Sequence, residues 1–235
     1  MRLPALAIAV ASMTISPPAL AQAMGISPVR VEMTGGEHSA IVTVRNTGAS
    51  PINLQVRAMD WSQVDGVESF IAAETLIASP PMSTLAPGEE QIVRLLLDDP
   101  SQPTSERAFR LILDQIPSGP PTPGAGMRIQ LRALVPVFVV PKGISRPEIH
   151  WSATRDTAGL VLKAVNSGAR RNRLLNLTVT IDGTQIAVPS SSSGYVLSGG
   201  SQSWTVPGVP ATAATVKITA EGDLGEVDAD VPITP

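Results

Sequence analysis

What most constrains this chain is the way its apolar residues are punctuated. Short runs rich in Val, Ile, Leu and Thr recur from end to end, and Gly, Pro, Asn and Asp stand between them. Helical spacing is almost absent. Such a pattern buries side chains by alternation along strands, so the chain is expected to be all-β. In the first half the runs are 26–33, 39–46, 52–61, 70–78, 91–97, 108–115 and 127–140. Seven strands are the complement of one immunoglobulin-like sandwich. The pairs Gly35-Gly36, Asp65-Gly66 and Pro87-Gly88, and the triplet Asn46-Thr47-Gly48, supply the reversals.

The segment 117–126, PSGPPTPGAG, holds four prolines and three glycines and forms neither helix nor ladder. It reads as a long connection between two strands. After PKGISRP at 141–147 the pattern resets into a second series of short runs: 148–153, 159–166, 172–181, 184–188, 194–197, 202–206, 215–221 and 226–232. Both halves carry an early strand ending in Asn and Gly, VTVRNTG at 42–48 and VLKAVNSG at 161–168, as two related folds in tandem would. The expected organisation is a first domain at 24–141, a linker at 142–147 and a second domain at 148–235. A chain of 235 residues accommodates two such cores.

The first 23 residues read as an export signal. Met1-Arg2 is a basic start, LPALAIAVASMTI an apolar run too short to anchor in a bilayer, and Pro17-Pro18 end it. Cleavage is expected after Ala21 or Ala23. Export goes with zero cysteines here, so no disulfide, thiolate metal site or thiol nucleophile is available, and core burial alone holds the fold. The net charge of −3 argues against a nucleic-acid partner.

No catalytic set emerges. His38 and His150 stand alone, without acids at ligand spacing, so no metal or other cofactor is implied. There is no G-x-S-x-G elbow and no Gly-rich loop opening a helix. Glu89-Glu90 and Asp98-Asp99 are neighbours whose side chains point to opposite faces of a strand. Asn176-Leu177-Thr178 matches a glycosylation sequon, a weak signal. An enzyme acting on a small molecule is therefore the least supported reading.

The unusual residues are arginines within apolar strands. Arg94, Arg128 and Arg132 fit the solvent face of their strands. Arg30, after ISPV, and Arg110, inside AFRLIL, interrupt more continuous apolar runs, where a guanidinium suits a carboxylate partner or reaches outward to water. The run MRIQLRALVPVFVV at 127–140 has two characters. Met127, Ile129, Leu131 and Ala133 alternate with Arg128, Gln130 and Arg132, and the remainder is apolar on both sides.

Several blocks then match in order and spacing: ISPVRVEM at 26–33, VTVRNTG at 42–48, LQVRAMDW at 54–61, SPPMSTLAPGEEQIVRL at 79–95, ERAFRLILDQIP at 106–117 and GYVLSGGSQSW at 194–204. With these blocks the chain resembles the periplasmic pilus-assembly chaperones of the chaperone–usher pathway over nearly its whole mature length. LVPVFV and AFR look more like the archaic, coat-type branch.

The resemblance implies two immunoglobulin-like β-sandwich domains in a boomerang arrangement, located in the periplasm. Its implied partners are pilin or fimbrial subunits and an outer-membrane usher, with a self-capping homodimer as one state of the free protein. The subunit would be completed by a donated strand carrying Met127, Ile129, Leu131 and Ala133. In the family two basic residues in the interdomain cleft anchor the subunit's terminal carboxylate. Arg30 matches the first. The second aligns with Pro136, which carries no charge, and Arg110, expected beside it on the preceding strand, is the candidate replacement. A structural cell-surface or pilus-associated module of the same architecture is the alternative. Seven strands in the first domain argue against a strand-deficient subunit.

Overall fold

The computed structural model describes residues 24–188 and 194–235, apart from 35, 65, 100, 102, 117–129, 144 and 158. The expected leader at 1–23, the proline-rich connection, Met127, Arg128 and Ile129 lie outside the described residues.

The first sandwich uses alternation to fill one core from two sheets. Strands β1 (Met24–Ser27), β3 (Ser39–Asn46), β8 (Glu90–Leu97) and β6 (Leu76–Ser79) form one sheet in the order β1-β3-β8-β6. The facing sheet runs β2 (Val31–Met33), β10 (Arg132–Val139), β9 (Arg107–Ile116), β4 (Ile52–Val64) and β5 (Val67–Ala72), with β7 (Met82–Leu85) also on β4. Val42, Val44, Val93, Leu95, Leu54, Val56, Leu111, Leu113, Val135 and Val137 meet between them.

Three details of the expected strands change. The run 26–33 splits at Pro28, which has no N–H to give a ladder. β1 pairs antiparallel with β3, and β2 crosses to pair parallel with β10. The run 70–78 likewise divides into β5 and β6 on opposite sheets. MSTL, too short to register as a strand by composition, is β7.

The second sandwich comprises β11 (Ile149–Asp156), β12 (Gly159–Asn166), β13 (Asn172–Ile181), β14 (Thr184–Ala187), β15 (Tyr195–Val196), β16 (Ser201–Val206), β17 (Thr215–Gly222) and β18 (Val227–Thr234). Its strands run β14-β13-β17-β18-β11-β12-β16, with β15 on β13. Two register pairs of parallel pairing join β18 to β11. A bulge interrupts β13 between Leu175 and Thr178. Asn176 of the sequon sits there at φ 50°, a left-handed conformation that Asn tolerates better than most residues.

The Asn-x-Gly motifs do the same work in both halves. The Asn46 carbonyl accepts from Gly48 N–H at 3.0 Å, and its amide donates to Ser50 O at 2.8 Å and Leu85 O at 3.1 Å. Asn166 repeats this with Gly168 at 3.0 Å, Arg170 O at 2.7 Å and Val196 O at 3.1 Å. Each side chain is a buried bracket tying a strand end to a crossing loop. A Cβ on Gly168 would lie 2.4 Å from the Arg146 carbonyl oxygen, so the bracket also needs glycine two residues on. Asn166→Ala strands several buried backbone groups, and we expect a loss of about 2 kcal/mol in urea unfolding. A loss below about 0.5 kcal/mol would contradict this role.

A third, small cluster of Trp61, Phe138, Tyr195 and Leu197 joins the sandwiches. Beside it the Gln63 amide donates to Tyr195 O at 2.8 Å and accepts from Leu197 N–H at 2.9 Å. Charged residues close the joint. Arg171 Nη1 lies 2.6 Å from Glu106 Oε2, and the same guanidinium pairs with Glu32. Arg170 lies 3.3 Å from both of those carboxylates. Arg171 also stacks over Phe138, 3.8 Å from the ring centroid.

Candidate functional site

β9 and β10 are the strands on which the candidate residues converge. In β10 the odd-numbered side chains Val135, Val137 and Val139 enter the first core, and Ala133 packs against it. The even-numbered side chains face the other way: Arg132 and Leu134 are exposed, and Phe138 fills the joint. The apolar character of 134–140 therefore divides by face along the strand.

The open edge of β10 has a defined chemistry. Antiparallel pairing with β9 places Arg132 opposite Asp114, Leu134 opposite Ile112 and Pro136 opposite Arg110. Gln115 N–H donates to Leu131 O at 2.9 Å, so odd-numbered backbone groups of β10 serve β9. Even-numbered N–H and C=O groups then point away from β9. β2 covers that side through pairing of Val31–Met33 with Val137–Val139, and Val140 N–H donates to Met33 O at 2.9 Å. Residues 132–136 have β9 on one side and no described strand on the other. Pro136 fits because the N–H it lacks would point to this open edge.

At the start of the edge, Asp114 accepts from Arg57 Nη2 at 2.7 Å and also pairs with Arg132 Nε. Burial works against ionisation, but the hydrogen bonds and charges of the two arginines outweigh it and hold the Asp114 carboxyl below its ordinary range. Arg132 thus reaches outward, as expected of a solvent-face arginine, and is tethered by its own sheet.

Arg30 and Arg110 are brought together. Both line a cleft of about 630 Å³ between the sandwiches, with Pro28, Val29, Leu134, Pro136, Arg173 and Tyr195. Arg110 is 6% exposed and its guanidinium lies 3.6 Å from the centroid of the Trp61 ring. Its Nε has no hydrogen-bond partner, and no carboxylate among the described residues pairs with it. Burial, foremost, lowers its pKa. Arg30 is satisfied differently: Nη1 lies 2.9 Å from Asp223 Oδ2 and Nε 3.3 Å from Glu32 Oε1. Arg173 is a cleft residue that the sequence reading missed. Nothing in RNRLLN marks it until the fold sets it against Tyr195.

His38 and His150 stay on the surface, His150 against Ser167 at 3.0 Å. Among the described residues no group of three His, Cys, Asp or Glu gathers as for a metal.

Against this geometry the comparisons are decisive for ancestry. The family described as pili and flagellar-assembly chaperone, PapD N-terminal domain, matches residues 23–145, over half of the chain. The chain belongs to that family. A search of curated proteins finds no match. Solved structures share the whole two-domain architecture of these chaperones. A chain of the CsuC–CsuE chaperone–tip adhesion subunit complex from the archaic Csu pili of Acinetobacter baumannii superposes with a TM-score of 0.69 at 20% identity, covering 91% of this chain and 100% of that one. The YadV chaperone gives 0.63 at 17% identity, covering 89% and 98%. A chain of the Salmonella enterica SafA pilin–SafB chaperone complex gives 0.59 at 18%, covering 90% and 95%. The fold is accordingly two immunoglobulin-like sandwiches in a boomerang, and the protein is a pilus-subunit chaperone of this family.

Proposed function

We propose that the chain works in the periplasm, captures a pilin or fimbrial subunit by lending it the edge of β10, and delivers it to an outer-membrane usher. The observation that carries this reading is the edge at 132–136, which no described strand continues, flanked by a cleft whose buried Arg110 pairs with no carboxylate among the described residues. A subunit strand laid along that edge finds the N–H and C=O groups of Arg132 and Leu134 unpaired by any described strand. Side chains of the parity of Leu131 and Ala133 point to the same side as the first core, so they would extend that core into the client. Met127 and Ile129, outside the described residues, share their odd numbering in the sequence and are proposed as donor residues with them. The client's terminal carboxylate would enter the cleft, with Arg30 and Arg110 as its anchors. The subunit-binding unit is residues 24–141, followed by the linker 142–147 and the second domain 148–235. No catalytic step is involved. A chaperone with an open edge also needs a cover when free, and a homodimer pairing two such edges is one way to provide it.

The SafA–SafB and CsuC–CsuE structures hold such proteins with a pilin and a tip adhesion subunit, which supports a client of that kind here. The test is co-purification of the client from periplasm. Leu131→Asp places a charge where the client's core would be, and Leu134→Pro removes an edge-facing N–H while leaving the β9 ladder intact. Each is expected to cut subunit capture about tenfold or more with little change in urea midpoint. Full capture by both variants would sink strand donation through β10.

A further inference from the structure

The two anchors expected from the sequence are not electrostatically equivalent. Arg30 already holds two carboxylates, Asp223 and Glu32, in the free protein. The cleft's unbalanced positive charge lies elsewhere. Arg110 on β9 and Arg173 on β13 both face the cleft, and neither has an ion-pair partner among the described residues. Both also carry a buried Nε without a hydrogen-bond partner. They flank the same ring, with guanidinium carbons 5.8 Å and 5.3 Å from the Tyr195 centroid. After burial, the charge of Arg173 is among the influences lowering the pKa of Arg110, so the two cations feel each other. Glu68, whose field favours the charged Arg110, lies beyond ion-pairing distance of it.

Two guanidiniums turned to one space, from different domains, repel unless an anion lies between them. We propose that Arg173 of the second domain is a third carboxylate-binding residue, and that the client's terminal carboxylate bridges Arg110 and Arg173 with Arg30 at its side. The inference rests on the reading that this cleft takes a carboxylate. Its consequence is that cargo binding ties the sandwiches together through a contact absent from the free chain. Asp223 prepares this arrangement. Its Oδ1 accepts from Arg173 N–H at 2.7 Å and its Oδ2 from Arg30 at 2.9 Å, so one side chain sets the backbone of Arg173 against Arg30.

The test follows the arginine Nε–H resonances of the full chain by NMR during titration with acetate, with acetamide as the neutral control. Arg110 and Arg173 are expected to shift together with one apparent Kd for acetate and not for acetamide. Arg173→Ala should weaken the Arg110 response about tenfold, and Arg173→Lys should recover part of it. Subunit capture from periplasm should follow the same order, with urea midpoints unchanged. If acetate moves Arg30 and Arg110 but leaves Arg173 unmoved, or if Arg173→Ala leaves the Arg110 response at wild-type strength, the bridge is wrong and the two-anchor reading survives. If neither Arg30 nor Arg110 responds, carboxylate anchoring in this cleft falls, and the bridge with it.

Discussion

Replacing Arg171 with methionine is expected to be among the most damaging single changes in this protein, at about 3–5 kcal/mol. The side chains of Arg171 and Glu106 are each 1% exposed, and their closest contact is 2.6 Å. Methionine retains much of the volume over Phe138 but leaves Glu106 in the joint without its main counter-charge. Arg170 at 3.3 Å offers partial relief, since it is itself shared with Glu32. Glu32 keeps Arg30 and Arg170, so the penalty centres on Glu106. The double variant Arg171→Met, Glu106→Leu removes both charges and should recover much of the loss, because the burial cost of an unpaired carboxylate disappears with it. Urea unfolding of the three proteins reads this directly. A single variant as stable as wild type, or a double variant as weak as the single, would show that the pair does not hold the joint.

The joint also marks where sequence reasoning stops. Strand content was legible because each run carries its own alternation, and 39–46, 159–166 and 172–181 appear with the expected bounds. Asn46 and Asn166 were legible as a repeated motif, because Asn-x-Gly builds a local turn whichever core surrounds it. Arg110 was reachable by one step of topology: antiparallel neighbours put it near Pro136, and the register sets them opposite. The network of Glu32, Glu106, Arg170, Arg171 and Asp223 had no such signal. Apart from the adjacent Arg170 and Arg171 its members lie far apart in the chain, and charged residues within loops and strand ends read as solvated until a second sandwich covers them. Arg173 was missed for the same reason. Its neighbours describe β13, while its function depends on Tyr195 and on β9 of the other domain.

Phe138→Ala is expected to cost a comparable 3–5 kcal/mol, roughly, and to affect the cleft as well as the fold. Phe138 is 0% exposed and lies on the even face of β10, where the ring meets Trp61 at 6.0 Å, Tyr195 at 5.5 Å and the Arg171 guanidinium at 3.8 Å. Among the described residues the interdomain cluster holds four buried members, with Phe70 and Ala108 packed against it, so few neighbours are available to fill the void. Trp61 is the shelf beneath Arg110, and a Trp61 ring freed on its Phe138 side no longer fixes that guanidinium. The variant should therefore show a lower urea midpoint, a red-shifted Trp61 emission and a weakened acetate response at Arg110. Phe138→Leu keeps an apolar group of useful volume and should lose less than about 1.5 kcal/mol, with the acetate response largely retained. If Phe138→Ala loosened the joint but left the Arg110 response at full strength, the cation would be held by its own sheet alone. Domain packing would then be irrelevant to carboxylate binding. A coupled loss is expected because Arg110 finds in Trp61 of its own domain a surface that the other domain keeps in place.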